Sequence, residues 1–209
     1  YFSLPKNSLT RVYNCCDFEK FGNNNRKFLK FKKTLNLGMV ARLEKHKDQT
    51  TLIKAIPFII KEGIKVKLFI IGDGSKRQEL EKLSKKSGVE KNIIFLGSRR
   101  DIPKILSDLD IFIFSAKQDE GFGIALAEAM VAGVPILASD AGACLEILKN
   151  GEYGYIFEKG NSENLALKVL EMITDIDSVR KRTLKAKTYA KNSFTVSNMA
   201  DSYFEYLMS

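Results

Sequence analysis

The chain has 209 residues, 44% of them hydrophobic and 28% charged, with four prolines, three cysteines and a formal net charge of +9. That length is ample for one large domain or two small ones with a self-sufficient core. The composition excludes collagen, low-complexity disorder and a disulfide scaffold, and no apolar run approaches the roughly 20 residues of a membrane-spanning helix.

Three cysteines are an odd number, and Cys15 and Cys16 are adjacent. A reducing, cytoplasmic setting is therefore expected. The sequence shows no leader segment and starts at Tyr1 without a methionine, so it reads as a piece of a longer protein. Its charge is uneven. Residues 1–33 hold eight basic side chains against Asp17 and Glu19, a net +6, which leaves +3 for everything after. The pattern is a basic arm on a nearly neutral body.

From residue 35 onward, strand-sized apolar runs alternate with helical patterns. Residues 35–41 read as a buried strand. Asp48 is the expected N-cap of a helix through Ile60, closed by Gly63, and Pro57 should kink that helix or weaken one turn. A second strand over 66–71 runs into Gly72-Asp73-Gly74 and a polar helix ending near Gly88. The third strand, 93–96, leads through Gly97 to a short helix with Asp101 as cap and Pro103 in its first turn. The fourth, 111–114, is apolar throughout, as expected of a strand covered on both faces. A Gly-rich turn at 121–123 then opens a helix over 124–132, stopped by Gly133 and Pro135. A fifth strand over 134–138, a helix near 144–149 and a short sixth strand over 155–157 follow. Helices over 162–173, 179–191 and 195–207 close the chain. Such alternation implies parallel strands with right-handed crossovers, hence an open, doubly wound α/β sheet of six mostly parallel strands. Ligands bind such sheets beyond the carboxyl ends of the strands.

Two loops at that edge carry the chemistry. Gly121 and Gly123 flank Phe122 at a helix N-terminus, where backbone N–H groups suit phosphate. Glu128 follows one turn later, in a helix otherwise apolar all round, so it should be buried. A carboxylate there costs several kcal/mol unless it is bonded. Ligand hydroxyls would supply those bonds; a structural glutamate tied to neighbouring amides is the competing reading. Arg42 follows the first strand directly and Lys47 opens the next helix. A planar fork and a point charge together suit a diphosphate, although a basic loop is more often only a solvated one. Gly72-Asp73-Gly74 lacks the third glycine of a dinucleotide fingerprint and reads as a tight strand-to-helix turn. Asp108 and Asp110 precede their strand and read as helix exit and strand entry. His46 is the only histidine, which excludes a Ser-His-Asp or Cys-His apparatus within the chain, and no metal site is expected.

The segment Glu-Gly-Phe-Gly-x4-Glu-Ala-Met, with Glu120 and Glu128 eight positions apart, resembles the hallmark of retaining glycosyltransferases of the two-Rossmann-domain (GT-B) type, group 1. The strand ending Val-Ala-Arg-Leu, Lys47 five residues after Arg42, Gly72-Asp73-Gly74, Phe95-Leu96-Gly97 and Gly133-Val134-Pro135 fall in that family's order. Asn14 through Phe21 resembles its interdomain linker, with Cys15 in place of the usual glycine. Gly142 and Glu146 match a later Gly-Gly-x-x-Glu loop, in which Ala143 replaces the second glycine.

The resemblance implies a donor domain for a nucleotide-diphosphate sugar, GDP-mannose or a UDP-hexose, with no metal or other cofactor. Arg42 and Lys47 would hold the diphosphate, and Glu120 a sugar hydroxyl. Amides of Gly121, Phe122, Gly123 and Ile124 would line sugar and phosphate, Glu128 would bond the ribose, and Ser98 and Arg99 would border the base. It also implies a linker over 1–33, a nucleotide-sugar-binding body over 34–175, and helices over 176–209 that pack back on an absent acceptor domain. A glycan or lipid-linked acceptor, a role in bacterial surface-polysaccharide synthesis, and contact of the basic arm with an anionic membrane face are further expectations. No nucleic-acid partner is expected. A nucleotide-sugar epimerase of the same architecture and a non-catalytic nucleotide or nucleic-acid binder are the alternative readings.

Overall fold

In a computed structural model, residues 12–21, 31, 33–117 and 121–208 are described. Six strands, β1 (Thr34–Val40), β2 (Lys65–Ile71), β3 (Ile93–Gly97), β4 (Ile111–Phe114), β5 (Ile136–Ser139) and β6 (Tyr155–Phe157), form one sheet in the order β3-β2-β1-β4-β5-β6. Every neighbouring pair is parallel. The order runs outward in both directions from β1 and β4, so a topological switch point lies between these two strands. Leu37 of β1 sits opposite Leu68 on one side and Ile111 on the other.

The period of two along a strand divides the core between the two faces. In β4, Ile111 and Ile113 join Leu37, Met39, Ile53 and Ile56 under α1 (Gln49–Lys61) and α6 (Ser162–Thr174). Phe112 and Phe114 point the other way, onto Leu126 and Met130 of α4 (Ile124–Ala132) and Ala186 and Ala190 of α7 (Ile176–Ser193). All four β4 side chains are buried, so a strand with apolar residues on both faces is what a two-sided sheet requires. Full burial of each such side chain contributes about 1.5–3 kcal/mol. The remaining helices are α2 (Arg77–Lys86), α3 (Ile102–Asp108), α5 (Gly142–Ile147) and α8 (Val196–Met208).

Several local expectations are met differently. α1 continues through Pro57 as a single helix. What is lost there is the one bond that Pro57 cannot donate, while Leu52, Ile53, Ala55, Ile56 and Ile59 bury the helix against the sheet. Asp48 stands at the N-cap of α1 but adopts φ 44° and ψ 42°, and its carboxylate accepts the Thr51 hydroxyl at 2.7 Å, not a backbone N–H. Asp101, ahead of α3, likewise makes no cap; its carboxylate is taken by Arg99. β5 begins at Ile136 and not at Val134, because the Val134 N–H is spent on Ala129 at the exit of α4 and Pro135 has none. Asp110 does serve strand entry: its carboxylate accepts the Asn36 N–H at 2.8 Å.

Candidate functional site

The loop after β1 is held from both ends. Ala41 N–H donates to Ile71, Leu43 N–H to Asp73 at 2.9 Å, and Lys76 N–H returns to the Leu43 carbonyl at 2.9 Å. This closeness dictates glycine at position 72, where φ is +130° and a Cβ would stand 2.0 Å from the Ala41 carbonyl oxygen. Glu44 accepts the Ser75 hydroxyl at 2.8 Å, and Gln49, itself buried, donates its amide to the Arg42 carbonyl at 2.9 Å. Arg42 thus projects, exposed, from an anchored backbone. Lys47 ends a short 3-10 turn (Lys45–Lys47), half-buried, with its ammonium 5.4 Å from the centre of the Phe114 ring. The Lys117 N–H, bonded to the His46 carbonyl at 2.9 Å, ties the same turn to the loop after β4.

Gly123 enters α4 at φ +69°, and its carbonyl accepts the Leu126 N–H at 2.8 Å. The first-turn amides of a helix have no acceptor within it and face whatever lies ahead. Phe114 forms the floor here too, since a Cβ on Gly123 would meet its ring at 3.2 Å. Glu128 is half-buried, not buried as the all-apolar helix suggested. The reason is that Ile124 and Glu128, one turn apart, share the single stripe of α4 left open, and Ile124 is 50% exposed. Burial still raises the Glu128 carboxyl above its ordinary range, and Lys20 of the N-terminal segment opposes that rise. Cys16, buried behind α4, has its thiol pushed up to about 12, first by burial and then by the Glu128 and Cys15 charges.

These loops enclose a cleft of about 580 Å³ at the switch point. Arg42 and Lys47 line it from the β1 side, Ser98 and Arg99 from β3, and Phe122, Gly123, Ile124 and Glu128 from α4. Arg99 is held in a two-pronged pair with Asp101, at 2.8 and 2.7 Å, on exposed surface. Gly121 lies on a neighbouring cavity of about 430 Å³, on the far side of Phe122. Glu120 lies outside the described residues. Asn14, Ile102 and Phe114 also line the cleft and were not singled out by sequence. Phe114 was findable, as the last residue of the strand at the switch point; Asn14 reaches the cleft only because the N-terminal segment folds back over it. There Tyr13 and Phe122 meet at 6.0 Å between ring centres, and Phe194, at the α7–α8 junction, meets them at 5.7 and 5.0 Å. Among the described residues no group of three or more His, Cys, Asp or Glu is placed to hold a metal ion, and no helix is long and apolar enough to cross a membrane.

Comparison with known proteins bears on the family and the fold. The family model described as Glycosyl transferases group 1 matches residues 21–192. The N-acetyl-alpha-D-glucosaminyl L-malate synthase of Bacillus anthracis is 24% identical over 95% of this chain and 53% of its own length. The N-acetylgalactosamine-N,N'-diacetylbacillosaminyl-diphospho-undecaprenol 4-alpha-N-acetylgalactosaminyltransferase of Campylobacter jejuni is 29% identical over 99% of this chain and 55% of its own length. Anabaena HepE, solved with UDP and glucose, superposes with a TM-score of 0.83 and 26% identity, over 95% of this chain and 56% of that one. The chain therefore spans about half the length of these relatives. The doubly wound sheet is the Rossmann-like half of the two-domain architecture expected from the sequence, and with the family model spanning most of its length, the chain belongs to the glycosyl transferases of group 1.

Proposed function

We propose that this chain is the donor-binding half of a retaining glycosyltransferase that moves a hexose from a nucleotide-diphosphate sugar to a glycan or lipid-linked acceptor in bacterial surface-polysaccharide synthesis. The observation that carries the reading is one cleft at the switch point that joins two cations, a helix N-terminus and a half-buried carboxylate. Arg42 and Lys47 hold the diphosphate and stabilise it as it leaves, while the amides of Phe122, Gly123 and Ile124 take its remaining oxygens and the sugar. Glu128 accepts the ribose hydroxyls, which repay its desolvation. Ser98 borders the base; Arg99, occupied by Asp101, contributes a flat edge to that border. Glu120 takes a sugar hydroxyl.

Cleavage of the anomeric bond develops an oxocarbenium-like sugar and a negative diphosphate. Cations fixed in advance stabilise that charge by several kcal/mol without reorganising. The anchoring of Arg42 through Gln49, and of Lys47 over Phe114, supplies that fixity. Binding of UDP by a structure of this similarity supports a uridine donor. The acceptor and the basic arm's contact with an anionic membrane belong to the longer protein, in which α8 (Val196–Met208) packs on the acceptor domain while α7 stays on this body through Ala186 and Ala190.

Calorimetric titration of the chain with UDP, GDP and ADP tests the reading. One nucleotide binds, and Arg42→Ala and Glu128→Ala each weaken it by about 1–3 kcal/mol, as loss of charge-assisted bonds requires. Absence of binding to all three, or affinities unmoved by both substitutions, sinks the assignment.

A further inference from the structure

The amino ends of the strands carry a concentration of charge of their own, at the pole opposite the cleft. Thr34 opens β1, Lys65 opens β2 and Asn92 precedes β3; with Lys67 and Lys91 they line a groove of about 440 Å³, of which Ile60 and Ile64 form the apolar side. β2 is buried at Val66 and Leu68 but exposed at Lys65 and Lys67. The two lysines therefore stand on one open face of the sheet, about 7 Å apart along the strand. Lys91 is fixed close to them, because the Asn92 side-chain amide donates to the Val66 carbonyl at 2.9 Å.

The ordinary reasons for lysine do not account for these three. Lysine guards exposed strand edges against pairing, but β2 is paired on both sides. Lysine also answers the carbonyl end of a helix, as Lys61 does in the last turn of α1; Lys65, Lys67 and Lys91 lie beyond it, on strand and turn. Across the ladder Lys65 and Lys67 face Thr34 and Asn36, which are neutral. Among the described residues none of the three is in an ion pair. Glu62, Glu90 and Asp108 are exposed and do not line the groove. Outside the described residues, acids occur only at Asp119 and Glu120, between Lys117 and Gly121 at the cleft end. The sequence leading into β1 adds cations alone: residues 20–43 contain no Asp or Glu, and Lys33 stands exposed directly before Thr34. Like charges brought together on a fixed ladder repel one another, and an anion between them reverses the sign of that interaction.

We infer that this groove is a second anion site, which takes a phosphate-bearing group on Lys65, Lys67 and Lys91. Compact ammonium groups spaced along a strand meet the separated oxygens of a phosphate ester or diphosphate as point charges, while Ile60 and Ile64 give the organic part of an ester an apolar wall. The volume falls within the common range for small-molecule sites. The site does not depend on the donor reading, since the length of β2, roughly 20 Å, separates it from Gly72 at the cleft. The phosphate is that of a soluble ester or diphosphate, or that of a glycerophospholipid headgroup.

Amide NMR titration with pyrophosphate and with glycerol 3-phosphate, at about 0.15 M salt, measures the soluble source. Co-sedimentation with phosphatidylglycerol vesicles, against phosphatidylcholine, measures the headgroup. The parent chain is compared with one carrying Lys65→Gln, Lys67→Gln and Lys91→Gln together, and with one carrying Lys65→Arg, Lys67→Arg and Lys91→Arg. In the parent, amides of residues 65–67 and 91–92 shift with a soluble phosphate, or the anionic vesicles carry the chain down; the arm that responds names the source. The glutamine set weakens that binding roughly tenfold or more, the arginine set keeps it within about threefold, and nucleotide affinity in the cleft stays within about twofold in both. Should the glutamine set fail to fold, the three single substitutions are read instead, each weakening binding by about two- to fivefold. The proposal is overturned if anionic vesicles do not bind and phosphate-induced shifts are confined to the cleft. It is overturned equally if the glutamine substitutions leave the binding unchanged, or if they weaken nucleotide as much as phosphate.

Discussion

Burial places the Glu128 carboxyl above the ordinary carboxylate range, against the pull of Lys20. A carboxyl raised by folding binds its proton more tightly in the native state, so its ionisation costs stability as pH climbs through the raised value. That cost is fully present above the raised value and disappears below the unfolded value of about 4.3. Glu128→Gln should therefore raise the melting temperature of the ligand-free chain at pH 7–8, with the gain shrinking as the pH approaches 4. The same variant should bind nucleotide less tightly. Calorimetric melts from pH 4 to 8 check the first expectation; a variant that melts lower than the parent at every pH would mean that Glu128 is a structural anchor. The odd carboxylate was legible in the sequence as a lone charge among Ile124, Leu126, Ala127, Ala129 and Met130. Its half-exposure was not, because that follows from which side of α4 the sheet and α7 leave open.

The β1–α1 and β2–α2 connections act as one unit, laced by Leu43, Asp73 and Lys76 through backbone bonds and by Glu44 and Ser75 through side chains. Gly72 is its tightest point. With φ +130° and the Ala41 carbonyl where a Cβ would stand, Gly72→Ala should cost about 2–4 kcal/mol, from strain and overpacking together. It should weaken nucleotide binding as well, because Ala41 leads directly into Arg42. Urea unfolding with a parallel titration measures both, and a variant of parental stability would show that the two connections are not coupled. The sequence marked Gly72 as a tight turn but not what it is tight against, since contact with Ala41 exists only once β1 and β2 pair. Other elements follow the same logic. Apolar runs and their stops located β4, β6 and α4 to the residue, whereas the start of β5, the capping by Asp48 and Asp101, and the continuity of α1 across Pro57 depend on partners elsewhere in the chain.

Across the molecule the three terminal helices divide into two kinds. α6 and α7 belong to the body: Leu165 and Val169 enter one side of the core, and Ala186 and Ala190 the other. α8 has no buried residue, yet Tyr203, Phe204, Tyr206, Leu207 and Met208 give it an apolar side at 49–85% exposure. Apolar area left in water adds nothing to stability, at about 25 cal/mol per Å² for area that is removed. The division falls at Phe194, only 1% exposed, whose ring joins Tyr13, Phe122 and Tyr189 and so ties α7 to the N-terminal segment and the cleft. Ending the chain at Thr195 should thus lower the melting temperature by no more than about 3 °C, under 1 kcal/mol for a chain of this size. Phe194→Ala should cost about 3–5 kcal/mol and loosen nucleotide binding by freeing Phe122. Differential scanning calorimetry of the two variants separates these expectations. A shortened chain that melts as low as Phe194→Ala would place α8 within the body's own cooperative unit, and would remove the physical basis for assigning it to contact with the rest of a longer enzyme.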